Sequence, residues 1–208
     1  GVLSNPKVDY ALSLHLWNSK PLGWLGIGTG PQMAGAEYFK ITVYGKGAHA
    51  AMPQASVDPI LAASQIVNAL QGVVARNVDP LKPAVLTVAS IQGGEAFNVI
   101  PQKVEMTGTI RTFDPDVRET VVQRFEEIVK NTASAMGSTV DLELKRISPA
   151  VINEKNISES VQATARMLYP ETEIDTGYYL TMAAEDMAFM MEKVPGCYFF
   201  LGSANPEK

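Results

Sequence analysis

Between residues 37 and 44 apolar and polar positions alternate with period two, placing Phe39, Ile41 and Val43 on one face of a half-buried strand. After a glycine-rich loop, Asp58-Pro59 predicts a helix start, with aspartate as cap and proline in the first turn. Ile60, Ala63, Val67, Leu70 and Val74 then recur at helical spacing. Residues 84–91, rich in β-formers through Val85-Leu86-Thr87-Val88, predict a second strand, turned by Gly93-Gly94. A third follows over 103–112. Asp114-Pro115 repeats the cap-and-proline opening, and Val117, Val121, Phe125 and Ile128 form the stripe of a helix ended by Gly137. Residues 139–147 alternate as a closing strand. The order strand, helix, strand, strand, helix, strand is the split βαβ, or ferredoxin-like, arrangement. It predicts a four-stranded antiparallel sheet with both helices on one face.

The flanks carry a different pattern. An apolar strand over 8–17, helices over 158–169 and 184–193, and a strand over 197–201 suggest pieces of an α/β domain. The expected organisation is therefore α/β plus α+β, with a ferredoxin-like βαββαβ unit over 33–147 inserted between segments 1–32 and 148–208.

Composition narrows the function without naming it. In 208 residues, 46% are apolar and 19% charged, ordinary for a globular chain able to bury a sizeable core. The net charge is −5, with no basic cluster, which argues against nucleic acid or an anionic membrane surface as partner. Charges, glycines and prolines interrupt every apolar stretch before it could span a bilayer. Cys197 is the single cysteine, excludes an intrachain disulfide and favours a reducing compartment such as the cytoplasm. Its neighbours Tyr198 to Leu201 make it a small core residue in a buried strand rather than a nucleophile. No signal-peptide pattern opens the chain, and the openings Gly1-Val2-Leu3 and the close Asn205-Pro206-Glu207-Lys208 both read as cut ends.

Candidate chemistry is sparse. His49 lies in Gly45-Lys46-Gly47-Ala48-His49-Ala50-Ala51-Met52-Pro53, where glycine permits backbone angles that a side chain forbids and a loop could present the imidazole from a rigid sheet edge. A solvated histidine at a hairpin tip is the plain alternative. His15, near the end of an apolar strand, suits either a hydrogen-bonded core residue or a metal ligand. Asn98 offers a neutral donor and acceptor for an amide or oxyanion, or simply turn chemistry. Arg111 could fork onto a substrate carboxylate, or pair with Asp114 or Asp116. Glu185-Asp186 could serve a cleft, or only complement a helix dipole.

Their order supplies what each lacks. The runs LHLW at 14–17, GKGAHAAMP at 45–53, VDPI at 57–60, NVIP at 98–101, GTIR at 108–111, AEDM at 184–187 and PGCYFFLG at 195–202 resemble the metal-dependent amidohydrolases that include hippurate hydrolase, N-acyl-amino-acid amidohydrolases and auxin-conjugate hydrolases. The resemblance spans nearly the whole chain. It implies a metallopeptidase-type α/β catalytic domain with a two-metal site, zinc or manganese, and an inserted ferredoxin-like lid that mediates homodimerisation. It implies hydrolysis of the amide bond of N-acyl amino acids, with His15 as a metal ligand and His49 as the lid histidine that steadies the oxyanion in the partner subunit's site. Asn98 and Arg111 become substrate-binding residues, and Glu185 and Asp186 an acidic pair near the cleft. Ser13, Asn18, Ala48, Gln54 and Met187 depart from the family's usual residues without removing any of these groups.

The family's remaining ligands and its Glu-Glu base pair have no counterpart here. One histidine cannot supply a two-metal site, so the chain alone is expected to turn over no substrate. The alternatives are a non-catalytic ferredoxin-like module for dimerisation or small-molecule binding, and a carboxypeptidase or deacetylase of the same superfamily.

Overall fold

A computed structural model describes residues 1–177 and 180–204; the chain's last four residues, read above as a cut end, lie outside the described residues. In chain order the elements are β1 (Ala11–Pro21), β2 (Leu25–Gly26), β3 (Gly30–Met33), β4 (Gly35–Tyr44), β5 (Ala48–His49), α1 (Pro59–Asn77), β6 (Ala84–Gln92), β7 (Val99–Ile100), β8 (Lys103–Thr112), α2 (Pro115–Ala135), β9 (Thr139–Ser148), β10 (Val151–Asn153), α3 (Lys155–Leu168), β11 (Ile174–Asp175), α4 (Met187–Met191) and β12 (Gly196–Ala204). A 3-10 turn, Pro53–Ala55, follows β5. Contacts divide the chain into two units, Ala36–Ile147 and the segments on either side of it.

The middle unit carries a four-stranded sheet in the order β6-β8-β4-β9. Counted within the unit, that is strand two, three, one, four, the ferredoxin-like order that the alternating patterns predict. β6 and β8 pair antiparallel from Ala84 opposite Thr112 to Gln92 opposite Glu105, with an irregularity between Val88 and Ser90. Local chemistry starts both helices. Asp58 accepts hydrogen bonds from the Ile60 and Leu61 amides at 2.9 and 3.2 Å, and Asp114 from those of Asp116 and Val117 at 2.8 and 3.4 Å. Gly137, at φ +72°, turns the chain out of α2 in a conformation that a Cβ would strain.

Period two in the strands and period 3.6 in the helices converge on one core. Phe39, Ile41, Val43, Met106 and Ile110 meet Ile66, Leu70, Val121 and Phe125, all fully buried. The stripe of α1 is rotated from the predicted one: Ala62, Ala63, Ile66, Leu70 and Val73 are buried, while Ile60 is exposed. Because α1 packs on both the sheet and α2, Val67 and Val74 fall to the flank of its buried face. The opposite sheet face is polar. Lys40 pairs with Glu105 at 3.2 Å and Tyr44 donates to Asp141 at 2.9 Å.

In the flanking unit the sheet order is β1-β12-β2-β11. β1 and β12 run parallel, Ala11 beside Gly196 through Trp17 beside Gly202, whereas β12 and β2 run antiparallel. Trp24, Met33, Val151, Ala188, Tyr198 and Phe200 form its core. Buried Asn153 ties three segments together. Its amide nitrogen donates to the Gly28 and Tyr198 carbonyls at 2.8 Å each, and its carbonyl accepts from the Tyr198 amide at 2.7 Å. Asn153→Leu strands all three backbone groups without partners and is expected to destabilise the chain by roughly 3 kcal/mol. The urea midpoint measures this; an unchanged midpoint would mean that water replaces the lost partners.

The other face of β1 is bare. Leu12, Leu14 and Leu16 are about half exposed, and Leu12 and Leu14, with Leu25, Val161 and Phe199, border an apolar groove of 710 Å³. One predicted helix is shorter than expected. Instead of 184–193, only Met187–Met191 is α-helical, and Asp186 at its N-cap makes no side-chain capping bond. Glu185 precedes the helix; one carboxylate oxygen accepts from the Tyr198 hydroxyl at 2.9 Å and the other from the Asp186 amide at 3.0 Å. Among the described residues no helix is long and apolar enough to cross a membrane.

Candidate functional site

His49 is held by a small frame of main-chain hydrogen bonds. The Gly45 amide donates to the Gln102 carbonyl at 2.9 Å, and Lys46 and Val57 exchange amide-to-carbonyl bonds at 2.8 and 3.0 Å. β5 and β7 then form a two-residue antiparallel ribbon with His49 opposite Val99. The Ala50 amide donates to the Asn98 carbonyl at 2.9 Å and the Met52 amide to the His49 carbonyl at 2.8 Å. The glycines before His49 serve a different purpose from the one predicted. Gly45 and Gly47 do not adopt positive φ; a Cβ on Gly45 would stand 2.1 Å from the Val57 carbonyl oxygen, so glycine is there for close backbone approach.

The ribbon brings His49 and Asn98 together, both exposed. The Ala51 amide donates to His49 Nδ1 at 3.1 Å. Around them Met52 and Val99 are about half exposed and Phe97 is wholly so, an apolar rim on an otherwise polar loop. Beside the ribbon runs an 800 Å³ cleft bordered by Ala48, Gly94, Glu95, Val99 and Lys103.

Arg111 is not part of that cluster. It lies near the far end of β8, eight residues beyond Lys103, and at 3.3 Å per residue the strand alone sets it roughly 25 Å from the ribbon end. Its suggested partner Asp114 is taken by Lys82 at 2.6 Å. Among the described residues Arg111 makes no ion pair; it borders a 400 Å³ hollow with Tyr38, Thr109, Glu143 and Lys145.

In the flanking unit His15 is exposed on β1, opposite Phe200, with its ring 6.3 Å from that of Tyr198 and nearly parallel to it. Tyr198 in turn donates its hydroxyl to Glu185 at 2.9 Å. Glu185 is held below the ordinary carboxyl range, first by a hydrogen bond shared with Asp186 and then by the Tyr198 hydroxyl. Asp186 is pushed up by the same sharing and then by the charge of Glu185. Burial, then Glu185, pushes the Tyr198 hydroxyl up. Tyr198 was missed in the sequence, although its period-two partnership with Phe200 placed both on the inner face of the strand. Cys197 is buried and its thiol is pushed up by burial, as suits a core residue.

Whether these residues suit a metal pair can be tested on the donor set. Among the described residues no three of His, Cys, Asp and Glu converge to hold an ion. His15 alone does not make a two-metal site and among these residues could supply at most one ligand of it.

Comparison with known proteins supplies the family. Residues 33–136 match the model of the peptidase dimerisation domain. The chain is 34% identical over 202 residues to thermostable carboxypeptidase 2 of Saccharolobus solfataricus, covering 97% of this chain and 50% of that protein. It is 39% identical over 196 residues to the N-acetyl-L-cysteine deacetylase of Bacillus subtilis, covering 94% of this chain and 46% of that one. It superposes with a TM-score of 0.81, at 28% identity, on a dinuclear metal-binding peptidase of the M20 family from Bacillus subtilis, covering 100% of this chain and 51% of that one. The chain spans about half the length of the curated relatives it matches. The ferredoxin-like strand order, the matched domain and these relatives agree: the chain belongs to the M20 peptidase family, with that family's dimerisation domain in its middle unit.

Proposed function

We propose that the chain is part of a metal-dependent hydrolase that cleaves the amide bond of N-acyl amino acids in the reducing cytoplasm. The observation that carries this reading is His49, an exposed imidazole on a hydrogen-bonded ribbon beside Asn98, with Nδ1 already engaged. A donor held on a rigid frame stabilises charge that develops on a carbonyl oxygen without reorganising at the moment of reaction. Asn98 adds a neutral donor for the substrate amide, and Arg111 a fork for its carboxylate. His15 is the one ligand this segment would contribute to a zinc or manganese centre, with Glu185 and Asp186 near the same cleft. The 208-residue chain alone is expected to be inactive.

His49 stands on the β5–β7 ribbon and Arg111 near the far end of β8, so within one lid they serve two different centres. That fits a homodimer in which each lid spans both. The sheet edges support such pairing. β9 carries Asp141, Glu143, Lys145 and Arg146, charges that discourage edge-to-edge contact, while β6 carries none and exposes Thr87, Ala89 and Ile91. α1, packed against β6, adds exposed Ile60 and Leu61. A second copy docked on β6 covers this surface. The double substitution Ala89→Lys with Ile91→Lys is expected to convert the dimer to monomer in sedimentation velocity; a dimer that persists would place the interface elsewhere.

The carboxypeptidase relative favours a second reading, hydrolysis of a peptide bond next to a free carboxylate. Benzoyl-glycine, N-acetyl amino acids and dipeptides assayed side by side with the full-length enzyme separate the two. Turnover of the acyl amino acids with little of the dipeptides is the expected result, and the reverse preference would overturn the amidohydrolase reading.

A further inference from the structure

We propose that the backbone amide of Ala51 sets the tautomer of His49, so that the neutral imidazole carries its proton on Nε2 and meets a substrate oxygen as a donor. The inference rests on the oxyanion role proposed for His49. The Ala51 N–H points at His49 Nδ1 across 3.1 Å. A ring nitrogen that accepts is the unprotonated one, so the proton of the neutral ring resides on Nε2. The reverse tautomer would set Nδ1–H against the Ala51 N–H, donor facing donor. It would also make Nε2 an acceptor, which repels a carbonyl oxygen gaining negative charge.

The frame explains why this particular amide is available. The amide before it, of Ala50, is spent on the Asn98 carbonyl, and the amide after it, of Met52, on the His49 carbonyl. Both bonds fix the peptide planes on either side, leaving the Ala51 N–H with the imidazole as its acceptor. Among the described residues no group engages Nε2, and the side chain is exposed, so the donor is free for a ligand. Ala51 is thereby a positioning residue: it contributes a main-chain group that acts through His49 and needs no side chain for the purpose. A neutral hydrogen bond of this kind is expected to shift the tautomer ratio several-fold.

Long-range proton–nitrogen correlation on the 15N-labelled chain reads the tautomer directly. With two histidines, a His15→Asn variant assigns the two rings. At a pH where both rings are neutral, His49 is expected to show a protonated Nε2 and an unprotonated Nδ1. Ala51→Ser keeps the amide and is expected to leave the pattern intact, whereas Ala51→Pro removes it and should move the ratio several-fold toward the other tautomer. A wild-type His49 protonated on Nδ1 overturns the proposal, and so does an unchanged ratio in a folded Ala51→Pro variant. Should Ala51→Pro disrupt the ribbon, the wild-type spectrum and the nitrogen–nitrogen coupling between the Ala51 amide and Nδ1 decide the matter: a coupling supports the proposal and its absence overturns it. Turnover undiminished in a His49→Ala enzyme would defeat the oxyanion role instead, while the spectrum decides the tautomer independently of it.

Discussion

His49→Ala in the full-length enzyme is expected to lower kcat by roughly 10²–10³-fold, the usual cost of removing one oxyanion donor. The size follows from where the imidazole is placed. Its ring is exposed and contributes nothing to the buried core, so its removal leaves the lid folded. Its Nδ1 is bonded to the Ala51 amide, so what is lost is a pre-aimed donor rather than a loose side chain. KM should change little, because a group that acts on charge present only in the transition state adds little to ground-state binding. Metal content measured by mass spectrometry is expected to equal that of wild type, which separates loss of the donor from loss of the metal centre. Undiminished kcat would show that His49 is a solvated loop residue after all.

The second large effect is on stability. Phe125→Ala is expected to destabilise the middle unit by about 3–5 kcal/mol. Phe125 is fully buried on α2, with its ring centroid 4.7 Å from that of Phe39 on β4, and both lie among aliphatic side chains from α1 and β8. The void left by the ring has no polar group to admit water, so surrounding atoms simply lose contacts. Guanidinium titration should show a lower midpoint with little change in slope. Since β5 and β7 hang from this sheet through the Gly45–Gln102 bond, the same variant tests whether the His49 frame depends on the core beneath it. A loss under 1 kcal/mol would mean that α2 collapses into the void and that the sheet tolerates the shift.

The two effects differ in what they ask of the chain. The Phe125 site lies where period two and period 3.6 agree, and it could be named from spacing alone. The His49 site could be nominated but not explained: its glycines suggested unusual backbone angles, whereas the structure uses them to let Val57 and Ile100 carbonyls approach. Arg111 shows a related gap. Its motif put it in one group with Asn98, only thirteen positions away, yet eight residues of extended β8 beyond Lys103 carry it to the far end of that strand. Distance along a strand grows with every residue, so nearness in sequence becomes remoteness in space.

Glu185 marks the other kind of failure. Residues 184–193 carry a helical apolar pattern, but the first three residues are not helical, and the Glu185 carboxylate meets the Tyr198 hydroxyl thirteen positions away, which no local pattern announces. Asn153 likewise gave no sign of its role. Nothing local distinguishes an asparagine in a turn from one that satisfies three buried backbone groups on separate segments.

By itself, then, the sequence determined the six main elements of the middle unit, their order, the two aspartate caps and the inner face of β4, since these follow from interactions over a few neighbouring residues. It also determined the chemical groups available: two imidazoles, one thiol and no basic cluster. The tertiary structure alone decided which of those groups meet. His49 stands beside Asn98, and Tyr198 joins His15 to Glu185, because strand register and packing bring together positions that no short-range preference connects.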